Sequence, residues 1–86
     1  MKFAKLFDLE DNEQVLVTVN YDDDSESHKL CIRTEFEKAT AEMSLSYSEE
    51  KMALDALEKY TIDDAEKSRR KLSEFFIPKP TYEEAQ

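Results

Sequence analysis

The acidic run Asp22-Asp23-Asp24-Ser25-Glu26 sets carboxylates at alternate positions, as the start of a calcium-binding EF-hand loop does. Such a loop also needs a glycine at its sixth position and a bidentate Glu at its twelfth, where this chain has Ser27 and Arg33. The run therefore reads as a solvated hairpin loop. His28 and Cys31 are the residues that could supply a base and a nucleophile, but side chains three apart on a strand point to opposite faces. One Cys and one His also fall short of the four ligands that zinc requires. Ser48-Glu49-Glu50-Lys51 and Ser68-Arg69-Arg70-Lys71 both match Ser-x-x-Lys, a pattern that serves serine-acyl enzymes only beside further motifs and in a much larger fold. With no glycine in the chain, a flexible phosphate-cradling loop is excluded. No catalytic residue, no metal and no cofactor site is expected, and the chain is read as a non-enzyme.

What remains chemically distinctive is charge. The chain has 21 acidic against 12 basic residues and a net charge of −9, which repels phosphates and anionic membranes at long range. Direct nucleic-acid or membrane binding is disfavoured accordingly. The acids are concentrated: Asp8, Glu10, Asp11 and Glu13 precede Asp22–Glu26, and a second segment holds Glu49, Glu50, Asp55, Glu58, Asp63, Asp64 and Glu66. Lys67, Arg69, Arg70 and Lys71 form the one basic cluster. On a helix these four wrap around more than one face, and they read as partners of the helix C-terminus and of Asp63, Asp64 and Glu66 a turn earlier.

The elements that must carry these residues follow from periodicity. Val15, Val17, Val19 and Tyr21 alternate with Leu16, Thr18 and Asn20; Leu30, Ile32, Thr34 and Phe36 alternate with Cys31, Arg33 and Glu35. Ala39, Ala41, Met43, Leu45 and Tyr47 repeat the rhythm, and Phe3, Phe7 and Leu9 suggest a first strand. Short polar connectors at Asp11-Asn12, Asp22–Ser27 and Glu37-Lys38 join antiparallel neighbours, their backbone freedom coming from Asn, Asp or Ser in place of glycine. The expected architecture is α+β: a four-stranded antiparallel β-meander with one face covered by two C-terminal helices. Val15, Val17, Val19, Leu30, Ile32, Met43 and Leu45 are expected to point inward, against Leu57 and Leu72. Ser48 is the expected N-cap of the first helix, and Thr61 with Asp64 resembles a capping box that opens the second. The rival is one continuous helix over residues 49–76, roughly 42 Å long, overhanging the sheet with an apolar stripe that runs through Leu57, Leu72 and Phe76. Residues 1–77 are read as a single domain, and residues 78–86, which open with Pro78 and Pro80, as an extended, flexible tail.

A single cysteine permits no intrachain disulfide, which suits a reducing, cytoplasmic compartment, and no stretch has the length and apolarity of a signal peptide or membrane span. The function expected is a small acidic protein-interaction module that binds a basic surface of a partner protein, in the narrowest case by imitating nucleic acid. Its expected contact residues are Asp22, Asp23, Asp24, Glu26, Asp63 and Asp64. The alternative is a homo-oligomeric accessory or structural protein, for instance a homodimer, whose acidity provides solubility alone. In size, acidity and lack of glycine the chain resembles the small accessory proteins of phages and mobile elements, some of which block nucleic-acid-handling host machines. That resemblance is one of class and assigns no residue a role.

Overall fold

The computed structural model describes residues 3–37 and 39–74. Four strands, β1 (Ala4–Asp8), β2 (Gln14–Asp22), β3 (Ser27–Phe36) and β4 (Ala39–Tyr47), form one antiparallel sheet in the order β1-β2-β3-β4. Two helices, α1 (Glu50–Lys59) and α2 (Ile62–Ser73), pack against one face, so the α+β meander expected from periodicity is the fold of the chain. The register places Val17 opposite Ile32 and Val19 opposite Leu30, and with Val15 these side chains are at most 8% exposed. Ala53 and Leu57 from α1 and Ala65 from α2 close the core over them, with Phe7, Leu9, Leu54 and Tyr60 packed at its margin.

β4 turns its apolar residues inward as expected, Met43 packing against the core, but buries them less. Met43 is only half-buried and Leu45 is 44% exposed, although Leu45 stands opposite Leu30, which is 1% exposed. β4 is an edge strand with a neighbour on one side only, so an inward-facing residue there lacks the lateral cover that Leu30 receives from both β2 and β4. Tyr21 and Phe3, at strand ends, are likewise exposed, Tyr21 resting beside His28 with ring centroids 4.9 Å apart.

The helical half is two helices. Tyr60 is extended at φ −74, ψ 126, and the capping box at Thr61 is complete: the Thr61 N–H donates to Asp64 Oδ2 at 2.9 Å, and the Asp64 N–H donates to Thr61 Oγ1 at 3.3 Å. Lys5 on β1 holds the break open, its Nζ donating to the carbonyls of Glu58 at 2.8 Å and Tyr60 at 3.3 Å, groups that the end of α1 leaves unpaired. Tyr60 then packs on Phe7, and its hydroxyl lies in hydrogen-bond contact with Ser68 and with the Asp64 carbonyl. The single long helix is thereby excluded. Ser48 is not the cap of α1: that position belongs to Glu49, whose carbonyl accepts from Met52 and Ala53, because β4 runs to Tyr47 and leaves two residues for the turn. Leu72 is buried as expected, whereas Phe76 and the tail 78–86 lie outside the described residues.

Candidate partner-binding surface

The β2–β3 hairpin shows what a glycine-free chain does at a tight turn. Asp22 pairs with Ser27 across the end of the ladder, leaving Asp23, Asp24, Ser25 and Glu26 as the loop. Asp22 organises it: Oδ1 accepts from the Asp24 N–H at 3.1 Å, Oδ2 accepts from Ser25 Oγ at 2.9 Å, and Lys29 Nζ bridges to Oδ2 at 2.9 Å. The hydrogen bond from Lys29, then those from Ser25 and the Asp24 amide, hold the Asp22 carboxyl below its usual range, and the same pair raises Lys29. The chain leaves the loop through Glu26 at φ 52, in the left-handed region. Asp11 and Asn12 adopt the same region in the β1–β2 connection, as residues of their type do; a Glu does so at greater cost.

The six acids singled out in the sequence divide by what the fold asks of them. Asp22 is committed to the turn and Asp64 to the capping box, where the Thr61 backbone N–H, and after it the Thr61 hydroxyl, holds its carboxyl below the ordinary value. Asp23, Asp24, Glu26 and Asp63 are exposed, and their carboxylates make no hydrogen bond or ion pair among the described residues. The two groups do not share one surface. Asp63 and Asp64 open α2 beside Lys5, which lies opposite Val17, and the hairpin loop begins beyond Asp22, about 17 Å further along β2.

The loop has other neighbours instead. His28 pairs with Tyr47, so the turn that leaves β4 sits at the same end of the sheet and brings the exposed Glu49 and Glu50 to the hairpin's end. The opposite end is acidic as well, through Glu10, Asp11, Glu35 and Glu37, about 30 Å away along β3. An open cleft of about 630 Å³ lies there, lined by Asp11, Glu13, Leu16, Arg33, Glu35 and Arg69 among others, with no Ser, Cys or His among the described residues of its wall.

Arg69 has a role that composition concealed. Its Nε meets Glu13 Oε1 at 3.0 Å, its terminal nitrogen donates to Thr34 Oγ1 and, at 2.9 Å, to the Glu35 carbonyl, and its guanidinium carbon lies 4.3 Å from the centre of the Phe36 ring. It is an anchor of α2 on the sheet, not a partner of the acids one helical turn earlier. Lys67, Arg70 and Lys71 remain exposed, Arg70 beside the β1–β2 connection. A signal was legible beforehand: Thr34 is a polar residue in the apolar stripe of β3, and a buried hydroxyl implies a partner. His28 and Cys31 stand on opposite faces of β3, Cys31 opposite Thr18 and Ser44 on the open side. No family model, no curated protein and no solved structure matches the chain.

Proposed function

We propose that this chain is a non-enzymatic interaction module that docks on a basic surface of a partner protein through the hairpin end of its sheet. The observation that carries the reading is the division of labour in the hairpin. Asp22 and Lys29 shape the loop, while Asp23, Asp24 and Glu26 project from it with no structural duty. Glu26 supports it further, because Asn or Gly would hold a left-handed position at lower cost, yet the position carries a carboxylate. With Glu49 and Glu50 alongside, this end presents a fixed group of negative charge, which steers a positive partner more than it binds tightly. A protein that itself handles nucleic acid is the partner class of best fit, its basic track being what such a surface can occupy, in a reducing cytoplasmic setting that suits the lone Cys31. Among the described residues no helix is long and apolar enough to cross a membrane.

The test is retention of partner proteins from a cell extract on the immobilised chain, eluted across a salt gradient, for the natural chain and for a variant carrying Asp23→Asn, Asp24→Asn and Glu26→Gln. A basic, nucleic-acid-handling protein that elutes at moderate salt from the first and fails to bind the second is the expected result. Equal retention by both chains would overturn the hairpin's role.

A further inference from the structure

The two edges of the sheet are not alike. β1 is five residues long and includes the charged Lys5 and Asp8, as short, charged edges that resist pairing do. β4 is nine residues in unbroken register with β3, with no proline and no residue at positive φ, and Glu42 is its one charged side chain. Alternate residues of such an edge turn N–H and C=O groups outward, and none of these is hydrogen-bonded among the described residues. The inner face carries the second observation: the row Val19, Leu30, Leu45 runs from 8% and 1% exposure to 44% at the free edge, so it ends where a further strand would cover it.

The geometry points to β4 as a strand-addition site for an extended, basic segment of the partner, alternating Lys or Arg with apolar residues. This inference rests on the reading of the chain as an acidic docking module and adds to it where, and in what conformation, the partner binds. Apolar side chains of the incoming strand cover Leu45 and Met43, and its cations face Glu42 on the open side, with Glu37 at one end and Glu49 and Glu50 at the other. A second copy of the chain fits the same edge less well. Antiparallel pairing of β4 with itself brings Glu37 of one copy towards Glu49 and Glu50 of the other, and like charges on neighbouring strands destabilise.

The probe is a capped nonapeptide alternating Lys with Val, compared with one alternating Lys with Ser, titrated into the full chain while backbone hydrogen exchange is followed. The Lys-Val peptide is expected to bind and to slow exchange at alternate amides of Ala39–Tyr47. Leu45→Ser, at a position already half-exposed, is expected to weaken that binding about tenfold while leaving the fold intact. Equal binding of the Lys-Ser peptide, with no protection in β4, would overturn strand addition and leave charge-based docking standing. Binding of neither peptide would count against both. Protection of the β4 amides in the free chain that grows with protein concentration would assign the edge to a second copy and overturn the inference.

Discussion

Thr61 and Asp64 close the capping box that separates the two helices, and their chemistry can be read by titration. Thr61→Ala removes the hydroxyl but keeps the backbone N–H, so it should cost about 1 kcal/mol in urea denaturation and move the Asp64 carboxyl only part of the way back towards its ordinary value. A carboxylate depressed in the folded state stabilises in full above the ordinary Asp value of about 3.9 and loses that contribution as pH falls through the folded value. Asp22 and Asp64 are both depressed, so stability should decline on acidification below about pH 4, and less of that decline should remain in Thr61→Ala. Tyr60 behaves in the opposite sense: burial raises its phenol, which should ionise above the usual value of about 10 in a spectrophotometric titration, with stability lost as pH climbs through that point. Arg69→Met should cost roughly 1 to 3 kcal/mol, and Arg69→Lys should not restore it, since a single ammonium cannot reach Glu13, Thr34 and the Glu35 carbonyl together.

Among the elements, the informative contrast lies between neighbouring strands of one sheet. Ile32 in β3 is 2% exposed and Leu45 in β4 is 44% exposed, yet both face the helical layer. Ile32→Ala should cost roughly 2 to 4 kcal/mol, and Leu45→Ala well under half of that, because an exposed side chain leaves no cavity when truncated. Thr18→Ala and Ser44→Ala, on the open face, should be nearly silent in the same assay. A loss at Leu45 as large as that at Ile32 would mean that the edge is covered in solution.

Taken as a whole, the molecule carries acidic groups at both ends of the sheet, with exposed acids and bases mixed along α2. Neutralising Asp23, Asp24 and Glu26 removes three negative charges from one end without touching Asp22 or the turn it holds. Thermal stability should hold or rise slightly as repulsion is relieved, while the partner's association rate falls and loses much of its salt dependence. Stopped-flow association measured at two or more salt concentrations reads both quantities at once.

The alternation of valines in β2 and of Leu30, Ile32 and Thr34 in β3 was enough by itself to determine the sheet, since a period of two buries one face and allows no slip in register. The capping residues Thr61 and Asp64 likewise marked the start of α2, because a cap is a local hydrogen bond between residues three apart. What lay beyond local sequence was everything set by neighbours distant along the chain. Only the tertiary structure decided that Lys5 caps the end of α1, that Arg69 is held by Glu13 and Thr34, and that Leu45 reaches an open edge. The acidic surface divides in the same way: the cap had already set Asp64 apart, but Asp22 looks in the sequence like its neighbours, and the turn draws it into structure while Asp23, Asp24, Glu26 and Asp63 face solvent. Periodicity records which way a side chain points, whereas its partner depends on which strands and helices meet, and that is a property of the folded whole.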